Sequence, residues 1–130
     1  MNIEEFFKRA NEIFDKAEEN YVCEKNIISD YDKLVNNVDV SGIFHTEKVH
    51  ELIHRYKIIS EDKHDLTKNI KTLILAFQNS ISLQEHKTIK HQLLNSIIEL
   101  ESLTTDAEEI GKQIDVEFKN ISKRMKTVLA

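Results

Sequence analysis

Apolar residues recur in alternating steps of three and four along almost the whole of this 130-residue chain, and no proline interrupts them. Between Glu47 and Ile81 they fall at Val49, Leu52, Tyr56, Ile59, Leu66, Ile70, Leu73 and Phe77, with Ile53, Ile74 and Ile81 widening the stripe. The preceding stretch holds the same phase through Ile3, Phe7, Ala10, Phe14, Ala17, Tyr21, Ile28, Tyr31, Val35 and Val38, broken only at Glu24. The following stretch resumes it at Leu93, Ile97, Leu100, Ala107, Ile114, Phe118, Ile121, Met125 and Val128, with Thr104 and Gly111 on core positions. A stripe of this period lies on one face of an α-helix, and a stripe this long is buried only against other helices.

Two breaks divide the pattern. Asp39-Val40-Ser41-Gly42-Ile43-Phe44-His45 contains one of only two glycines, and Thr46 after it stands at a helix N-cap position. Ser82-Leu83-Gln84-Glu85 has the form of a capping box, the serine accepting from the amide three residues on and the glutamate reaching back. The expected fold is therefore all-α, one domain over residues 1–130. It is an elongated antiparallel three-helix bundle or coiled coil with helices at about 3–38, 46–81 and 83–128. Thr105-Asp106-Ala107-Glu108 resembles a further capping box and admits a kink near 104–111, but the repeat crosses that region in phase, which favours one long helix. Its end is expected to overhang the other two by about 15 Å.

The stripes are interrupted by charge at Glu24 and Lys63. Folding the helices about the two breaks brings these to one height, near Ser60, Glu101 and Thr104. Glu24, Lys63 and Glu101 are thus expected to form a polar core layer, a register pin whose buried charges satisfy one another.

A net charge of −5 and a pI near 5.7 argue against nucleic acid as a partner, since phosphates call for a basic surface. The longest apolar run, Leu73 to Phe77, cannot span a bilayer, and Met1-Asn2-Ile3-Glu4-Glu5 lacks the basic and apolar regions of a signal peptide. The single cysteine, Cys23, flanks the stripe and reads as a partly buried structural thiol. The expected location is the cytoplasm, with export by a route independent of a signal peptide still open.

One string has a catalytic form. His50-Glu51-Leu52-Ile53-His54 matches the zincin helix, in which two histidines one turn apart hold Zn²⁺ and the glutamate is general base. Here Val49, Leu52, Ile53 and Tyr56 take the inward face, which turns His50 and His54 outward, and no strand is available to hold a substrate. His45, His64, His86 and His91 complete no ligand set and read as surface histidines. No cofactor is expected, and the metal site at His50, Glu51 and His54 is the alternative reading.

At the end of the third helix Phe118, Ile121, Met125, Val128 and Leu129 stand beside Lys123 and Arg124, with no evident neighbour inside the chain. This tip is expected to bind a partner: another protein through a helix–helix contact, or a second copy in a homo-oligomer. The loop Val40-Ser41-Gly42 between two long helices resembles the helical hairpins of the small WXG-type secreted proteins, without their tryptophan. The general architecture also resembles the small helical chaperones of secretion and flagellar systems. The expectation for function is a non-enzymatic interaction protein: an adaptor, small chaperone or subunit of a larger assembly such as a secretion system.

Overall fold

The computed structural model describes residues 3–39 and 46–129, without the side chains of Ile3, Asp39, Val128 and Leu129. Those residues form α1 (Ile3–Asp39), α2 (Glu47–Asn79) and α3 (Leu83–Leu129), of 37, 33 and 47 residues, with no strand among them. At 1.5 Å per residue the three are about 55, 50 and 70 Å long, so they lie side by side rather than fold into a globule.

Cross-helix contacts fix the register. Phe6 and Phe7 meet Phe77, Tyr21 stacks on His64, and Asp32 pairs with Lys57, so α1 and α2 are antiparallel. Phe77 meets His86 and Lys48 pairs with Glu117, so α2 and α3 are antiparallel as well. Phe6 beside Lys90 and Tyr31 beside Asp115 set α1 and α3 parallel. The expected three-helix bundle is therefore present, with α2 as the helix that both others pack on.

The core has two parts. One gathers Phe6 and Ala10 with Ile70, Ile74 and Phe77 and with Leu93 and Leu100. The other gathers Val35 and Val38 with Val49, Leu52, Ile53 and Tyr56 and with Ala107, Ile110, Ile114 and Ile121. Most of these are heptad residues of the three stripes, with Phe6, Ile53, Ile74 and Ile110 beside them, and full burial of each large aliphatic or aromatic side chain is worth about 1.5–3 kcal/mol.

The helix ends follow the predicted chemistry in part. Ser82 Oγ accepts from the Glu85 amide at 3.1 Å, but the Glu85 carboxylate returns to the Ile81 amide at 3.2 Å, one residue earlier than a strict box requires. α2 stops at Asn79, two residues short of expectation, because Ser80 turns extended (ψ 139°) while its hydroxyl donates to the Phe77 carbonyl at 2.8 Å. Ile81, expected to widen the stripe, is left 94% exposed in the connection. Thr46 occupies the N-cap of α2 without a side-chain capping bond; its carbonyl accepts from the His50 amide at 3.0 Å. The Val40–His45 loop, with Gly42, lies outside the described residues.

α3 runs unbroken through 104–111. Thr104 and Thr105 donate their hydroxyls to the carbonyls of Leu100 (2.8 Å) and Glu101 (3.2 Å), the intrahelical bond open to a mid-helix threonine, so Thr105 caps nothing. Gly111 sits half-buried against Tyr56 and Tyr31.

Candidate interaction surface

Where the two core clusters part, polar side chains take over. Glu24, Ser60, Lys63 and Thr67 are all buried at this height. Lys63 Nζ donates to Glu24 Oε1 at 2.7 Å, and each side chain keeps only 9% of its surface exposed. Glu101 does not join the pair: it is exposed and lines the mouth of an adjoining pocket. Its place on the flank of α3, rather than on the stripe, explains the difference. The layer is instead completed by Thr67, whose hydroxyl donates to the Lys63 carbonyl at 2.7 Å. Glu24 Oε2, Ser60 Oγ and His64 Nδ1 are buried without a hydrogen-bond partner among the described residues.

The surroundings of the layer are aromatic. His64 is not a solvated histidine but lies flat on Tyr21, ring centroids 3.7 Å apart, while the Tyr21 hydroxyl donates to Glu61 at 3.0 Å. His86 likewise packs on Phe77 and contacts the Ser80 carbonyl through Nε2 at 3.2 Å. His91 is exposed, as expected, and His45 lies outside the described residues. Burial pushes the Tyr31 hydroxyl up to about 12, helped by the negative charge of Asp115, to which it donates at 3.4 Å. Burial also pushes Tyr56 to about 12, with the charge of Glu24 adding to it.

The open side of the molecule is the seam between α1 and α3. Their backbones scarcely approach; long side chains such as Tyr31 and Phe118, ring centroids 6.0 Å apart, bridge the gap. At mid-height the seam opens into a pocket of about 360 Å³. Its walls are Ile13, Lys16, Ala17 and Asn20 on one side and Leu100, Glu101, Thr104 and Thr105 on the other, with Lys63 at the back. Lys63 has three N–H donors and gives one to Glu24, so the ammonium that faces this pocket retains donor capacity.

Stepping by three and four from Ile13, Lys16 and Asn20 along α1 leads to Cys23, Ile27 and Leu34; the same steps from Glu101 along α3 lead back to Ile98 and Leu94. Of these, Ile27 is 37% exposed, Leu34 47%, Leu94 41% and Ile98 63%. Cys23 is exposed too, not a partly buried thiol. Ile27 and Leu34 flank the α1 stripe in the sequence, whereas Leu94 and Ile98 lie off the α3 stripe. The signal was present: a second heptad row, offset from the main stripe and mixed with charge.

The tip of α3 differs from expectation. Ile121 is 1% exposed within the second core cluster, and Phe118 and Met125 pack partly buried against it. The parallel register sets Phe118 and Ile121 beside the last turns of α1, so the expected overhang begins only beyond them. These three side chains are core rather than a free apolar tip. Lys123 is exposed on the outer face, as is Arg124, and the side chains of Val128 and Leu129 lie outside the described residues.

His50, Glu51 and His54 all stand exposed on the outer face of α2. Among the described residues no group of three or more His, Cys, Asp or Glu side chains is placed to hold a metal ion. No helix among them is long and apolar enough to cross a membrane. No protein-family model, curated protein or solved structure matches the chain.

Proposed function

We propose that this chain is a non-enzymatic helical interaction module, an adaptor or subunit of a larger assembly that works by presenting the open α1–α3 side of its bundle to another helical surface. The observation that carries the reading is the seam itself: two long helices whose backbones scarcely approach, with a pocket open between them at mid-height and Ile27, Leu34, Leu94 and Ile98 left exposed on the same two helices. A helical bundle normally covers such rows with a further helix, which is the geometry of helix-in-groove recognition. The exposed thiol of Cys23 fits a reducing compartment, and we place the module in the cytoplasm. Chaperone and secretion roles are narrower versions of the same reading.

The test is capture from the native cell with a tag on α1, comparing the unaltered chain with Ile98→Glu and with an outer-face control, His54→Ala. The expected result is a stoichiometric protein partner, or a second copy of the chain, retained by the control and lost with Ile98→Glu. Recovery of the chain alone, as a monomer, would overturn the proposal. So would stoichiometric zinc in the purified protein that is lost in His54→Ala.

A further inference from the structure

Between the two core clusters the stripes turn small. The α1 row Phe7, Ala10, Phe14, Ala17, Tyr21 reaches an alanine two turns before Glu24, and the α3 row places Thr104 one turn after Leu100. Ala17 and Thr104 both line the mid-height pocket, whose volume of about 360 Å³ matches about a dozen waters at ~30 Å³ each. Helical interiors are normally packed to the density of an organic crystal, and a leucine at either position would fill much of this space. The gap is written into the stripes themselves, and its size falls within the range usual for small-molecule sites between bundle helices.

At the back of the pocket stands a buried ammonium with donors to spare. Lys63 keeps only 9% of its side chain exposed and gives one N–H to Glu24 at 2.7 Å, which leaves two of the three that an ammonium carries. A donor so deeply placed costs free energy until something accepts from it. The walls do not: the Thr104 and Thr105 hydroxyls are turned back to the carbonyls of Leu100 and Glu101, and no wall residue bonds Lys63 among the described residues. Charge at the site is balanced. Glu24 neutralises Lys63, and Lys16 on one wall is offset by Glu101 on the other. An anion entering here would lose its hydration without finding an unmatched cation, and a cation would meet Lys63 head on. An uncharged acceptor loses least and still takes the spare N–H.

We propose that this pocket binds a small uncharged molecule, with an apolar body of about a dozen non-hydrogen atoms and a carbonyl or amide oxygen that accepts from Lys63. Ile13, Ala17 and Leu100 supply the apolar wall for the body. The Lys63 ammonium fixes the orientation, oxygen inward, and the water that otherwise takes its donors is displaced. The site differs in kind from the helical surface proposed above, and its occupant needs no protein partner.

The test is titration of the isotopically labelled full chain with three probes that share one apolar body, the phenyl-terminated butanamide, butanoate and butylamine, followed by backbone amide chemical shifts. The expected result is saturable binding of the butanamide with a dissociation constant on the order of 1 mM, as suits so small a molecule. The shifts should centre on Ile13, Ala17, Leu100 and Thr104, and the carboxylate and the amine should bind at least tenfold more weakly. Ala17→Met, which fills the pocket from α1, should abolish binding. Glu24→Leu/Lys63→Met removes the donor together with its counter-ion and should weaken the butanamide about tenfold while helical circular dichroism is retained. Should Ala17→Met lose its helices, the double variant alone decides. No saturable shift up to about 5 mM, equal binding of the three head groups, shifts along Ile27, Leu34, Leu94 and Ile98 instead of the pocket, or undiminished binding in either folded variant would each overturn the proposal. Because the titration uses the chain alone, its failure leaves the interaction-module reading standing, and loss of a protein partner leaves this one standing.

Discussion

Replacing Lys63 by methionine keeps most of the volume of the side chain and removes its ammonium, with the charge and the donors it carries. Glu24 would then keep its place between the two core clusters, 9% exposed, with neither carboxylate oxygen bonded: Oε1 loses its partner and Oε2 has none to begin with. Breaking a buried pair on one side costs about 3–5 kcal/mol. A chain of this size has a total stability of roughly 6–20 kcal/mol, so the loss is a large fraction of it. At roughly 3–5 °C per kcal/mol, the melting temperature of Lys63→Met should fall by about 10–20 °C. The double variant Glu24→Leu/Lys63→Met removes both charges and should lie within about 2 kcal/mol of the unaltered chain, on either side, because neither ion has then to be desolvated. Urea and thermal melts followed by helical circular dichroism, on the two single variants and the double, complete the cycle. The reasoning is refuted if Lys63→Met costs less than about 1 kcal/mol, or if the double variant loses the sum of the singles. Either result would mean that water reaches the pair well enough to make burial irrelevant.

Three further outcomes follow from the packing. Gly111→Ala should stabilise the fold by about 1 kcal/mol, visible as a higher urea midpoint, because the new methyl would meet Tyr56 at an ordinary 3.7 Å while α3 gains helix propensity. Phe77→Ala should cost about 3–5 kcal/mol in the same assay, since it removes a ring that is 4% exposed and touches Phe6, Phe7 and His86. Tyr31 and Tyr56 ionise near 12 in the fold rather than near 10, so the stability they contribute is fully present below pH 10 and is lost as the pH rises from about 10 through 12. Absorbance at 295 nm should therefore show their ionisation coinciding with loss of helix in that window, and a midpoint near 10 with the helices intact would contradict the burial.

The fold was legible because each heptad stripe keeps its phase from end to end of its helix, and α-helix period leaves little choice of what to do with it. The pairing of Glu24 with Lys63 followed from the same arithmetic, as the charged positions within stripes that meet at one height. What escaped the sequence was the side from which each flank is covered. Glu101 lies close to the right height but off the buried arc. Ile121 looks unpartnered when helix lengths are compared, yet the parallel set of α3 on α1 brings it beside Val35 and Val38 in one cluster. His64 could be read as a surface histidine because nothing local announces that Tyr21, more than forty residues earlier, lies flat on it. Leu94 and Ile98 were hidden for a different reason: they lie among charged and polar neighbours off the main stripe, and such positions read as solvated surface.

The separation of α1 from α3 also decides how the molecule comes apart. α2 and α3 are joined by a connection of three residues, Ser80 to Ser82, and pack on each other more extensively than α1 packs on α2. α1 is held mainly through one neighbour, by the Phe6 and Phe7 rings at one end, the Glu24 ion pair in the middle and the Tyr31 edge on Tyr56 near the other. A structure tied together in this way opens in stages, releasing the least-attached helix first. Amide protons of α1 should therefore exchange with solvent faster than those of the α2–α3 hairpin, through a partial opening that leaves the hairpin paired. The same asymmetry predicts the reverse order in folding, with the hairpin closing across its short link before α1 is laid on.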